Sequence, residues 1–312
     1  MSLETFAETA RPSAVGTYAT SNTLSENYST TASITDGTAT KNLAVKYFYP
    51  TVSDYTEPRP IVFLVSNSGW SSSATSTYNT EGAYLNGMGV HAACIETRVS
   101  GDSPLSDGDD VSHTTLRRAI RAAIFDLDEA VKYTLKEHLE NAAWTIEPSM
   151  MFFGGVGAGG ITAMLYPLFF PTRPVAGVVP CSAAFGYDGT GTTPNTATEI
   201  IRQQLRYKET QHKSTGLAFL GGADTTVGTT YIESFRTKQA TIGASVVQYD
   251  ADGTNVAYSA FDTSALSGAT TMAGAWYNFL VDRCESLPST AALRQRGLQF
   301  RRSWVKQQSR FW

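Results

Sequence analysis

The chain has 312 residues and a net charge of −4; 17% are charged, 42% are hydrophobic, and much of its polarity comes from 29 Ser and 40 Thr. The charged share lies below the ~25% usual in soluble domains, yet no stretch approaches the ~20 apolar residues of a bilayer span. No charged, hydrophobe-poor block marks wholesale disorder, and the length suits one large domain or two small ones, with ample core.

Residues 1–41, rich in Ser, Thr, Ala and Gly, read as an N-terminal arm of loops and edge strands, with one strand expected around Val15–Ala19. The arm has no basic segment leading into an apolar one, so no secretory signal is expected. From Asn42 the pattern changes. Leu43, Val45, Tyr47 and Tyr49 alternate with Ala44, Lys46 and Phe48, as in a half-buried strand. After a turn-rich break, Ile61 to Val65 is a continuous run suited to a strand buried on both faces of a parallel sheet. Similar runs recur at Val90–Ile95, Met150–Phe153, Val175–Val179, Leu217–Leu220 and Val246–Tyr249. Between them the clearest helix is Thr115–Asn141, where Leu116, Ile120, Ala123, Leu127, Val131, Leu135 and Leu139 step by three or four. Strands alternating with helices predict an α/β domain over residues 42–288, a mostly parallel central sheet flanked by helices on both faces.

A basic, aromatic extension closes the chain. Residues 289–312 hold six basic groups and no acid, leaving 18 basic and 28 acidic groups, −10, on the first 288 residues. Leu293, Phe300 and Trp304 lie at roughly helical spacing between the arginines, which predicts an amphipathic helix. Arg294, Arg301, Arg302, Trp304, Arg310 and Trp312 are the candidate interface residues, because Arg and aromatics are enriched at protein contacts. A protein partner or a second copy of the chain fits them best. Docking on the chain's own domain, and nucleic acid or an anionic membrane surface, rank behind it.

The chemistry should sit in the run Phe152 to Ile161, which leaves a strand and opens a helix through Gly154, Gly155, Gly157, Gly159 and Gly160. A dinucleotide fingerprint can be laid on Gly155, Gly157 and Gly160. That motif normally opens the first βαβ unit, however, and here about 150 residues precede it. The nucleophile elbow, G-x-S-x-G, fits better, with Gly155, Ala158 and Gly159 in place and Gly157 in the serine's slot.

These residues, together with several others in order, resemble the α/β-hydrolases of the carboxylesterase/lipase type over roughly residues 40–285. The others are Asn42–Pro50, Arg59–Val65, the helix Leu116–Tyr133 with Asp126–Ala130, and Ile146-Glu147-Pro148 leading to Met150–Gly155. The resemblance implies that fold, with no cofactor and no metal. It also implies which residues should carry the chemistry. Ser66, Asn67, Ser68, Gly69 and Trp70 occupy the oxyanion loop, where the family usually has His-Gly-Gly-Gly and an aromatic, and Ala158 follows the nucleophile. Asp224 stands in the turn of the acid, and Asn255 is the best occupant of the histidine's loop. All four histidines (His91, His113, His138, His212) precede Asp224. The triad therefore reads as vestigial at Gly157, Asp224 and Asn255.

Other residues weigh less. Cys181 ends a predicted strand on the ligand side of the sheet and would be a nucleophile only with a partner to lower its pKa; a small buried hydrophobe is the plainer reading. Cys94, Cys181 and Cys284 lack disulfide or zinc spacing. His91 reads as structural. Asp107, Asp109 and Asp110 beside His113 lack the ligand spacing of a calcium loop. Taken together, the sequence predicts a catalytically inactive hydrolase relative serving as a structural or binding subunit. Its Ser/Thr-rich, Lys-poor composition suits a virion component or an accessory subunit, cytoplasmic or virion-associated. The alternatives are an esterase with a non-standard constellation around Cys181 or Asp224 and Asn255, and a ligand-binding module using the old pocket.

Overall fold

The alternating runs assemble into one eight-stranded sheet. The computed structural model describes residues 22–29, 41–49, 59–66, 72–87, 89–99, 114–139, 146–181, 183, 216–221, 236–237, 239–241, 243–244, 246–251, 275–276, 278–280 and 282–283. In chain order these form β1 (Asn22–Ser29), β2 (Asn42–Tyr49), β3 (Arg59–Ser66), a 3-10 turn (Thr75–Tyr78), α1 (Asn79–Gly87) and β4 (His91–Glu96). There follow α2 (Thr114–His138), β5 (Ile146–Val156), α3 (Ala158–Phe169), β6 (Gly177–Cys181), β7 (Gly216–Gly221) and β8 (Val246–Ala251).

The strand order is β1-β2-β4-β3-β5-β6-β7-β8. β1 and β2 pair antiparallel, β2 pairs antiparallel with β4, and all pairings from β4 to β8 are parallel. The predicted parallel sheet is thus present, with two antiparallel strands added at one edge. β1, inside the arm expected to hold edge strands, pairs with β2 along its whole length. Its polar alternation gives a strand with one face toward solvent, and only Tyr28 is fully buried. The strand expected at Val15–Ala19 lies outside the described residues.

Each face of the sheet carries its own core. Ile61, Phe63 and Val65 of β3 point to one side, in one core with Ala123, Leu127 and Val131 of α2 and Ile161, Met164, Leu165 and Leu168 of α3. Val62 and Leu64 point to the other, against Tyr84 and Leu85 of α1 and a helical piece bearing Trp276 and Phe279. The three-layer arrangement accounts for the unbroken apolar run of β3, since a strand covered on both faces has no polar side. α3 is buried from Ala158 to Leu168, as expected of a helix apolar all round.

Several expected boundaries move. The long helix spans Thr114–His138 rather than Thr115–Asn141; Leu139 lies in a turn and Asn141 outside the described residues. The elbow strand begins at Ile146, four residues before its apolar run, and its first residues pair with Arg59 across a register shift. β6 starts and ends two residues later than Val175–Val179, and the Ala176 N–H just before it donates to the Met151 carbonyl. In β2 the alternation breaks at Phe48, buried against Gly82 of α1.

Candidate active site

The parallel register sets the site. Val156 is aligned with Cys181, Cys181 with Phe219, and Gly221 with Ala251, so β5 to β8 all end at one edge of the sheet. At that edge β5 turns into α3 through a single residue, Gly157, with φ 55° and ψ −120°. Only glycine adopts this region without strain. The turn is fixed on both sides: the Gly157 N–H donates to the Cys181 carbonyl at 2.9 Å, and its own carbonyl accepts from Ile161 at 3.0 Å.

Neighbouring glycines are demanded by packing instead. A Cβ on Gly155 would stand 2.5 Å from the Gly159 carbonyl carbon, and one on Gly160 would stand 2.7 Å from the Gly155 oxygen and 2.9 Å from the Ala183 Cβ. At Gly157 a Cβ would meet nothing within 4 Å. The strand and helix cross at backbone contact, and the residue at the apex faces open space. Ala158, the first residue of α3, brings one of the first-turn amides that lack an intrahelical acceptor.

Beside the elbow, the end of β3 is held by hydroxyls. Ser66 Oγ accepts from the Ala74 N–H at 3.1 Å and lies 2.9 Å from Thr77 Oγ1, Ser73 donates to the Ser66 carbonyl, and Thr97 N–H donates to Ser73 Oγ at 3.0 Å. The Tyr78 hydroxyl donates to the Val65 carbonyl at 3.2 Å and accepts from the Val156 N–H at 2.9 Å. Burial raises the Tyr78 pKa well above the usual phenol range, only partly offset by the Val156 bond, so the hydroxyl keeps its proton. Nothing in the Ser/Thr-rich sequence 71–78 marks this tyrosine beyond its being the one aromatic there.

Of the expected site residues, the structure brings Gly157 and Ala158 to the elbow and Ser66 to the neighbouring strand end. Asn67, Ser68, Gly69, Trp70, Asp224 and Asn255 lie outside the described residues, as do Arg294, Arg301, Arg302, Trp304, Arg310 and Trp312. β7 ends three residues before Asp224 and β8 four residues before Asn255, both at the elbow edge. Cys181 is the last residue of β6, with its side chain fully buried. His91 opens β4 at the opposite edge, also buried. His138 ends α2 and meets Glu26 of β1 at 2.7 Å, away from the elbow. His113 lies outside the described residues. Among the described residues no group of three or more His, Cys, Asp or Glu is placed to hold a metal ion.

Two buried acids on α2 were not read as partners from the sequence. Asp126 takes the Arg98 backbone N–H at 2.7 Å and its guanidinium at 2.7 to 3.1 Å. Burial pushes the Asp126 carboxyl up to about 6 against the pull of Arg98. Asp128 accepts from the Tyr166 hydroxyl, from Arg173 and from Lys132. Burial raises its pKa too, but Arg173 and Lys132 outweigh it and hold the carboxyl below its ordinary value.

A scan against protein-family models finds no match, and neither does a search of curated proteins. Solved structures do match. The apo form of Thermogutta terrifontis esterase 2 is 16% identical, with a TM-score of 0.55, over 82% of this chain and 91% of that one. The same esterase phosphonylated by sarin is 16% identical with a TM-score of 0.54, over 77% and 87% of the two chains. Its propionate-bound form is 16% identical with a TM-score of 0.51, over 78% and 88%. The chain has the α/β-hydrolase-like fold of these esterases.

Proposed function

We propose that this chain is a catalytically inactive α/β-hydrolase-like protein that serves as a structural or binding subunit of a larger assembly. The observation that carries the reading is the elbow apex. Acyl transfer in this fold needs an oxygen or sulfur nucleophile at that residue, a base to take its proton, and donors for the oxyanion. Gly157 sits there with the bent backbone and the open space, and it has no side chain to attack with. The sequence adds Asn255 where a histidine is needed, and places all four histidines before Asp224. Without nucleophile and base, binding and residual electrostatics are what remain of such a site. The subunit role is supported by the +6 extension with Trp304 and Trp312, set against a −10 body.

The test is direct. The esterase of similar fold is described as phosphonylated by sarin and phosphorylated by paraoxon. This chain, incubated with paraoxon or a fluorophosphonate probe, is expected to keep its intact mass, and with short p-nitrophenyl esters to give no turnover above buffer. Turnover that disappears in Asp224→Ala would sink the reading.

A further inference from the structure

The bend at Gly157 is fixed from one side by the Cys181 carbonyl. The other side holds a feature that nothing in the elbow motif calls for. The ladder between β3 and β5 ends at the pair Leu64 and Gly154. Beyond it lie the Val65 carbonyl and the Val156 N–H. A single phenol oxygen spans them, donating to the first at 3.2 Å and accepting from the second at 2.9 Å.

That oxygen belongs to Tyr78, whose own position is over-determined. Its carbonyl lies 3.6 Å from Cys94 Sγ on β4, as the acceptor of the thiol, and the residue belongs to the same buried cluster as Val62, Leu64 and Val179 on that face. The preceding residue, Thr77, touches the Ser66 hydroxyl at the end of β3. Val156 is the last residue before the elbow, and Val65 is the last but one of β3.

We infer that Tyr78 is a positioning residue for the elbow, its hydroxyl setting the spacing of the β3 and β5 ends and thereby the place of Gly157. A tyrosine used only as core filling has no need of both bonds, and phenylalanine would fill the same volume. The inference rests on reading Gly157 as the elbow apex and is independent of whether the chain turns over esters.

Hydrogen exchange at the Gly157 amide tests it in the full-length chain. That amide bonds to Cys181 and not to Tyr78, so it reports displacement of the elbow instead of the loss of a bond to the mutated group. Tyr47→Phe is the control, since it also removes a buried hydroxyl contact, to Thr134, on the other face. Global stability is measured by urea unfolding for each variant. Tyr78→Phe should speed Gly157 exchange about tenfold beyond its change in global stability, the order set by a buried hydrogen-bond partner left unmet. Tyr47→Phe should change Gly157 exchange only in proportion to its global effect. Equal behaviour of the two variants overturns the proposal. If Tyr78→Phe does not fold, the native chain supplies the readout. A nuclear Overhauser contact from the Tyr78 hydroxyl proton to the Val156 amide, with matched exchange of the Val156 and Gly157 amides, supports the proposal, and unmatched exchange overturns it. Ester turnover by the native chain would refute inactivity and leave this result standing.

Discussion

The glycines of the elbow look alike in sequence but serve different physical needs. Gly155 and Gly160 are glycine because strand and helix touch through their backbones. Gly157 is glycine in a place with room for a side chain but with a backbone that L residues rarely adopt. Gly155→Ala and Gly160→Ala must push main chain apart and are expected to lower stability by about 3 kcal/mol or more, at or above the usual range for overpacking. Gly157→Ala meets only the strain of its φ and ψ, about 1–3 kcal/mol. Urea midpoints should therefore rank Gly155 and Gly160 below Gly157; Gly157→Ala as the most damaging of the three would contradict the geometry. The sequence made the turn itself readable, because five glycines after an apolar run have few other uses. It could not separate packing from conformation, since that depends on which backbone lies opposite.

Among the elements, α2 shows the same division. Its apolar stripe was plain, and Ala123, Leu127 and Val131 are buried as the spacing required. Its polar side was not, because Asp126 and Asp128 look like solvated residues until Arg98 and Arg173 arrive from distant segments. The two acids have opposite consequences for pH. Asp126 has a folded pKa of about 6, above the unfolded 3.8, so its contribution is fully present below about 4 and is lost as pH rises through 6. Over that window the folded state should weaken by up to about 3 kcal/mol on its account. Asp128 is depressed, so its contribution is present above the ordinary carboxylate range and is lost as pH falls through its lower folded value. Urea midpoints at pH 4, 5, 6 and 7 for the native chain and Asp126→Asn isolate the first effect. The difference between the two proteins should change across pH 4 to 6, and parallel curves would refute the assignment. Edges were the least legible parts. β1 could not be placed within the arm because one face meets water and its polar residues resemble the loops around it, and the first residues of β5 are hidden by Glu147, Pro148 and Ser149.

For the whole molecule, the mostly parallel sheet followed from apolar runs alternating with helices, while the strand order, the shared edge and the place of the antiparallel pair came from the structure. Among the described residues, no helix is long and apolar enough to cross a membrane, and Phe125 is the one exposed large hydrophobic. The proposed association through the charged extension is tested at this scale. Light scattering on the full chain and on a version ending at Pro288 should show a larger, salt-sensitive species for the full chain alone. Two monomers of equal behaviour, with no partner retained by either, would end the subunit proposal.

The bend at Gly157 also bears on how much change the rest of the chain can absorb. Any L side chain at that backbone would hold about 1–3 kcal/mol of strain, a sizeable part of the ~5–15 kcal/mol by which domains are stable. Glycine holds none. The difference is a reserve against damage elsewhere, so this fold should tolerate substitutions that would unfold a version of itself carrying a nucleophile at the apex.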